Sequence, residues 1–398
     1  MTVRVISSPF LNLESKIQRL GPCVGVYVRK EENPHRPFGE QTWLLSDLIQ
    51  IGRQMGVDVI VLTPGFMRER MGWRYENKGH RWILGPVPYP DLVFRRSGAF
   101  PQQELEATVD LQRFRTEGRL HTLPRICGDK WQFYQDMRHN PQLTAYLPRS
   151  ARATSAAHAW ALLQQFRDVY IKPLQGAQGI SVIHLVWQQN QALAFWEDRS
   201  YQNGTTLGKW GQKQKIVRFS NVQTKKKVFN NVSDFGLFLK MRGLHKVIVQ
   251  KTVILPHLED QGPYDFRWLV QCASGTRVTA RVARVGRPAS VTTNIHTGGV
   301  AMSASEVVRQ TYPTSWQDKL TELDRIAIEI AVELKRRYGP FGEVGVDLAL
   351  DVQGQPMVFE INPTPGRRML RTLDPDLRQM SLATLLEYAI SATGFNSD

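Results

Sequence analysis

The spacing of apolar residues changes character along the chain. Over the first ~120 residues short apolar runs alternate with amphipathic stretches. GPCVGVYV, VDVIVLT and DLVFRR read as strands. Between the first two, Gln41–Met55 places Leu44, Leu45, Leu48, Ile49 and Gly52 on one side, the period of a helix with one buried face. Gln102–Glu117 reads as a second helix, and WRYENKGHRWIL as a hairpin turning at Asn-Lys-Gly. This alternation predicts an α/β domain over residues 1–125.

From Gly128 onward helices near 129–139 and 154–166 flank strand-like pieces around Pro148 and Asp168–Lys172. After Ser181 strands dominate, with HKVIVQKTVIL, FRWLVQCA and RVTARVARV. A long helix is predicted from Thr314 to Tyr338, its stripe formed by Leu320, Leu323, Ile326, Ala327, Ile330 and Leu334. Ser315 and Asp318 suggest a capping-box start, and Gly339-Pro340 ends it. This part is α+β, expected to divide into lobes at 126–200 and 201–398.

Near the C-terminus EVGVDLAL (343–350) and VFEIN (358–362) read as the two strands of a hairpin across DVQGQ. Regular pairing sets Val346 against Ile361 and Leu348 against Phe359 on an apolar face. On the opposite face Asp347 meets Glu360, with Asn362 beside them. Like charges directly opposed on a sheet cost a few tenths to about 1 kcal/mol. Either water solvates that face, or Mg²⁺ bridges it, as a hard cation taking one or two carboxylates plus substrate phosphates. Retaining glycosidases also pair carboxylates, but from separate elements around a sugar cleft.

YIKPLQGAQGISVIHL carries Lys172 at a strand end, then Gly176, Gln178 and Gly179, then another strand. Neither the Walker spacing nor the Rossmann fingerprint fits, because no helix follows the glycines. A glycine-rich turn between strands is either a plain hairpin loop or a backbone cradle for phosphates. Arg267 lies mid-strand among apolar residues and needs an anion, from a ligand or a salt bridge. Arg281 and Arg284 face opposite sides of their strand, so one of them reaches any common site.

Composition then narrows the field. The 398 residues include 51 Lys and Arg against 36 Asp and Glu, a net charge of +15 that favours anionic ligands. The dense run Lys225–Lys227 reads as a solvated loop; with no zinc-finger, RNA-recognition or helix-turn-helix signature beside it, nucleic acid is a secondary reading. No membrane span and no secretory h-region are expected. Cys23, Cys127 and Cys272 lack metal-ligand spacing, which suits a reducing, cytoplasmic compartment.

Taken in order, Asp129-Lys130, IKPLQGAQG, VIVQKTVIL, Asp265-Phe266-Arg267, Arg284, Asn294 with Gly298-Gly299, and Asp347…Glu360-Ile361-Asn362 resemble the ATP-grasp superfamily. With GPCVGVYV, PFGEQTWLLSDLIQIGRQMGVDVIVLTP and PYPDLVFRR, nearly the whole chain is similar to the YheC/YheD family of endospore coat-associated proteins. The resemblance implies an N-terminal pre-ATP-grasp-like α/β domain and a nucleotide held between two α+β lobes. It implies that Lys130 and Lys172 bind ATP phosphates, that the Gly176–Gly179 flap with Gln178 covers them, and that Asn294 joins the nucleotide site. Adenine would meet the backbone from Gln250 through Lys251 to Val253; Arg267 and Arg284 would hold the transferred phosphoryl group. Asp347, Glu360 and Asn362 would hold Mg²⁺, or Mn²⁺ in its place. The ribose acid common in relatives falls near His257, Glu259 and Asp260. The implied activity is a carboxylate–amine or carboxylate–thiol ligase, spore-associated. Phe38–Gln41, Arg95, Arg96, Arg367 and Arg368 are candidates for the acceptor side. Two rivals stand beside it: a non-catalytic ATP-binding coat protein, and a basic binder of nucleic acid or an anionic polymer.

Overall fold

The computed structural model describes residues 21–33, 35–176, 181–207, 213–288, 290–293 and 298–395, with backbone alone at 199–207 and 213–222. Two units emerge, one from Met1–Leu120 with Leu386–Asp398 and one from His121–Leu385.

In the first unit β1 (Cys23–Tyr27) runs parallel to β2 (Asp58–Leu62) and β5 (Leu92–Arg95). The antiparallel hairpin β3 (Met71–Glu76) and β4 (Arg81–Pro86) extends the sheet to the order β4-β3-β2-β1-β5. Helices α1 (Thr42–Gln54) and α2 (Phe66–Glu69) lie between these strands, and α3 (Glu104–Thr116) follows β5. Leu44, Leu45, Leu48 and Ile49 of α1 are buried, as their spacing predicts. Buried Asp110 on α3 accepts from the Tyr27 hydroxyl and from three backbone N–H groups of Gly65, Phe66 and Met67, so its charge is fully occupied in holding the fold.

The second unit contains two antiparallel sheets. One has β6 (Ser150–Ala153), β7 (Asp168–Pro173), β8 (Ile183–Gln188), β9 (Gln191–Leu207), β10 (Lys213–Phe229) and β11 (Val247–Lys251), in the order β10-β9-β8-β7-β11-β6. Helices α4 (Lys130–Arg138) and α5 (Pro141–Thr144) precede it, while α6 (Ala156–Phe166) and α7 (Val232–Met241) lie within its span. The expected lobe boundary at 200/201 falls inside β9, because this sheet continues to Lys251. The other sheet has β12 (Tyr264–Gln271), β13 (Arg277–Val285), β14 (Val300–Ser303), β15 (Glu343–Leu350) and β16 (Pro356–Asn362), ordered β14-β13-β12-β15-β16. Helices α8 (Ala304–Thr311) and α9 (Trp316–Tyr338) interrupt it, and α10 (Arg368–Leu373) and α11 (Pro375–Thr393) follow.

Two local expectations are corrected. Ser315 precedes α9 but its side chain makes no capping bond. Lys225–Lys227 belong to strand β10 rather than a loop, exposed at the edge of their sheet. Lysines on an edge strand discourage unwanted pairing with other chains. Among the described residues no helix is long and apolar enough to cross a membrane.

Candidate functional site

The hairpin of β15 and β16 begins in the expected register, with Val346 opposite Ile361 and Asp347 opposite Glu360. It then slips. Leu348 pairs with Val358, not Phe359, because a β-bulge leaves Phe359 as an extra residue. Val358 remains buried, whereas Phe359 and Glu360 both line a cavity of about 830 Å³. The intervening connection is the five residues from Asp351 to Gln355, where Asp351 accepts from the N–H groups of Gln353 and Gln355 and Gly354 takes φ 74°.

Strand β7 forms another wall. Asp168, Tyr170 and Lys172 alternate onto the cavity while Val169 and Ile171 enter the core. The Lys172 ammonium donates to Gln250 Oε1 at 2.7 Å, and Gln250 Nε2 donates to Ser150 Oγ at 3.2 Å. The same ammonium stands 5.1 Å from the Phe359 ring centre and 5.7 Å from that of Tyr170. Burial pushes Lys172 down to about 8, against the opposing pull of Glu360. Asp168 bonds His184 Nε2 at 2.7 Å and the Thr252 hydroxyl, tying β7 to the segment after β11. Gln250, Lys251, Thr252 and Val253 line the cavity there.

Acids and bases alternate at the floor. Arg267 donates through Nε and Nη2 to the two Asp347 oxygens at 2.5 and 2.6 Å. Arg284 forms the same fork with Asp265, both bonds 2.6 Å, and reaches Asp347 at 3.0 Å. Burial would raise the Asp347 carboxyl, but Arg267 and Arg284 outweigh it and hold the group down near 2. Glu360 meets Lys130 at 3.0 Å, and Lys130 also donates to the Gly176 carbonyl at 3.0 Å. Three carboxylates (Asp265, Asp347, Glu360) thus face Arg284, Arg267 and Lys130, and Lys172 is a fourth cation beside them.

The expected residues therefore separate into groups. Lys130, Lys172, Gly176, Gln250, Lys251, Val253, Arg284, Asp347 and Glu360 line one cavity. Arg267 stands behind Asp347, and Asn362 Oδ1 accepts from Thr364 N–H at 3.0 Å. Gln178, Gly179 and Asn294 lie outside the described residues. Arg281 pairs with Asp324 of α9, leaving Arg284 as the one that faces the cavity. His257 lines the cavity, whereas Glu259 and Asp260 do not. Arg367 is corrected: it is buried in a fork with Glu343, with its Nε 3.1 Å from Ser381 Oγ, and presents nothing to an acceptor. Arg96 is tied to Gln41 within the first unit. Tyr170 was legible from the i, i+2 spacing that sets it beside Lys172; Phe359 had no such signal.

Among the described residues no three His, Cys, Asp or Glu side chains gather closely enough to hold a metal alone. Two facing carboxylates and a nearby amide oxygen are nonetheless hard oxygen donors of the number that Mg²⁺ takes from protein when phosphates supply the remainder.

A family model described as YheC/D like ATP-grasp matches residues 120–391. The chain is similar to "Endospore coat-associated protein YheD" of Bacillus subtilis (strain 168), 25% identical over 367 residues, covering 87% of this chain and 73% of that protein. It is similar to YheC of the same organism, 22% identical over 312 residues, covering 77% and 78%. Among solved structures, the D-alanine-D-alanine ligase from Coxiella burnetii is similar at 11% identity, covering 93% of this chain and 97% of that one, with a TM-score of 0.47.

Proposed function

Since the chain belongs to the YheC/D-like ATP-grasp family, we propose that it is an ATP- and Mg²⁺-dependent ligase joining a carboxylate to an amine or thiol. The observation that supports this most is the cavity itself: Lys130, Lys172 and Arg284 converge on the same space as the facing acids Asp347 and Glu360. Such an array suits a triphosphate that arrives with a divalent ion.

Lys130 and Lys172 hold the phosphates, the backbone of Gln250–Val253 takes the adenine, and Arg267 and Arg284 steady the phosphoryl group being transferred. Asp347, Glu360 and Asn362 would hold the metal ion, which would supply neutralisation of the phosphates' charge. Because Asp347 starts out clamped by two arginines, binding is an exchange. The guanidiniums move from carboxylate to phosphate oxygens, and the carboxylates become available as ligands. Arginine is suited to both partners through the same planar fork. The substrate carboxylate oxygen attacks the γ-phosphorus, ADP leaves, and the amine or thiol then displaces phosphate from the acyl phosphate. Fixed charges position these steps, and no side-chain nucleophile is needed.

The relatives' coat-associated names suggest a spore setting for the same activity. A screen for ADP release across amino acids, dipeptides and wall precursors tests the reading. Turnover that requires both a carboxylate and an acceptor supports it. Tight Mg-ATP binding with no ADP release from any pair supports the rival reading, a non-catalytic nucleotide-binding relative.

A further inference from the structure

After β13 the chain leaves its own sheet. Ser290, Val291, Thr292 and Thr293 all line the cavity. Gly286 lets them fold back closely, since a Cβ there would stand 3.0 Å from the Thr292 carbonyl oxygen and 3.2 Å from that of Pro263. Thr293 is buried, and its hydroxyl bonds Asp265, the partner of Arg284 on the cavity floor. The other contacts are to the facing sheet. The Val291 carbonyl accepts from the Tyr170 hydroxyl of β7 at 3.2 Å. The Ser290 and Thr292 hydroxyls donate to the two oxygens of Glu197 on β9, the second at 3.2 Å. Four residues thus form a strap from one sheet of the second unit to the other.

Glu197 has no other evident work. Among the described residues no Lys or Arg pairs with it, in a chain of net charge +15, and its neighbour across the strands is Thr224. Glu197 does not itself line the cavity, so it acts on a ligand there only through the strap. The hold is releasable. Elsewhere in this unit carboxylates are pinned by arginine forks, Glu343 by Arg367 and Asp324 by Arg281. A hydroxyl gives a single bond, rotates freely and readily exchanges its partner for water. No backbone–backbone bond ties Val291 or Thr293 to either sheet among the described residues.

We propose that Glu197 is a positioning residue, the catch that keeps the strap Ser290–Thr293 closed across the cavity and sets the rate at which nucleotide enters and leaves. The gate rests on the nucleotide reading of the cavity; the catch itself does not. A segment that bridges two walls bars passage where it crosses them. Because the bonds to Glu197 are complete without a ligand, they stabilise the closed strap in the free and the loaded protein alike. Such a catch slows entry and exit by the same factor and leaves affinity nearly unchanged.

Two measurements on the full chain test this. Hydrogen exchange of the ligand-free protein reads strap opening. Stopped-flow mixing with N-methylanthraniloyl-ATP and Mg²⁺ reads the two rates. Glu197→Gln should speed exchange of the strap amides about tenfold or more, and raise association and dissociation rates together by a similar factor. Ser290→Ala with Thr292→Val breaks the same catch from the other side and should match it, which also guards against a folding defect in either protein. All three changes combined should add nothing further, as expected for partners in one interaction. Asp198→Asn, an exposed neighbour facing the opposite side of β9, should change neither readout. The proposal is overturned if Glu197→Gln leaves strap exchange at the wild-type rate, or if the effects of the two sides multiply. It is also overturned if dissociation alone accelerates and affinity falls in proportion, the mark of a lost contact. A wild type that binds no nucleotide overturns the nucleotide reading and the gate with it, while strap exchange still decides the catch.

Discussion

Strand β15 carries two buried carboxylates, and they have opposite fates. Glu343, near its start, is gripped by Arg367 in a fork, and Arg367 spends its other donors on Ser381 and the Pro365 carbonyl. Gln271 Nε2 approaches Glu343 at 3.3 Å and Ser381 O at 2.8 Å. That cluster ties an acid to a base through buried polar groups, and neither Glu343 nor Arg367 lines the cavity. Asp347, four residues on, is shared between Arg267 and Arg284, stands opposite Glu360, and faces a cavity with Lys172 nearby. The same pairing chemistry on the same strand is structural where the charges close on themselves. It is poised for a ligand where a carboxylate is shared, a cation is in excess and there is room. Burial of a charge alone does not distinguish the two; stoichiometry and access do.

The largest effect should come from the closed pair. Arg367→Met leaves Glu343 buried without its partner and should destabilise the fold by about 3–5 kcal/mol in urea unfolding. Adding Glu343→Leu should recover much of that loss, and the folded fraction of either variant should bind ATP as the wild type does. If ATP binding disappears with the pair, the distinction between the regions fails.

Lys172→Met should do the reverse. Removing a charge-assisted contact to phosphate costs about 1.5–3 kcal/mol of ATP affinity, roughly ten- to a hundredfold by titration calorimetry. Melting temperature without ligand should not fall. The folded-state ammonium titrates near 8, well below its ordinary value, so charging it is a burden on the free protein. The sign follows for pH as well. Below about 8 the protonated Lys172 favours phosphate; above it, ATP affinity should decline by up to one log unit per pH unit, and Lys172→Met should abolish that limb.

Phe359→Leu should have the smallest effect. The ring over the Lys172 ammonium is worth about 0.5–2 kcal/mol. Its loss removes a contact that favours the charged form, so the alkaline limb should move downward, with little change in melting temperature. An unchanged limb would mean that the bulge shapes the strand without tuning Lys172.

These effects also show what a sequence discloses. The opposed acids Asp347 and Glu360 were legible because strand alternation converts numbering into facing positions, and a like-charge pair demands an explanation. The bulge was not, since one extra apolar residue between Val358 and Glu360 leaves no compositional mark. Nor were the arginine forks. Arg267, Arg284 and Arg367 are alike in sequence; the pairing of β12 with β13 and β15 determines which carboxylates the first two meet, and Arg367 reaches Glu343 from the segment just before α10. The lysine run was read from composition alone, which does not distinguish an exposed loop from the edge of a sheet.

The central claim is that Asp347 and Glu360 face each other to receive a divalent ion with the nucleotide. Calorimetric titration of ATP into wild-type and Glu360→Gln protein, each over a range of Mg²⁺ concentrations, addresses it most directly. The account predicts that Mg²⁺ strengthens wild-type binding at least tenfold and that Glu360→Gln loses most of this gain while retaining metal-free binding. Equal Mg²⁺ dependence in the two proteins would contradict it.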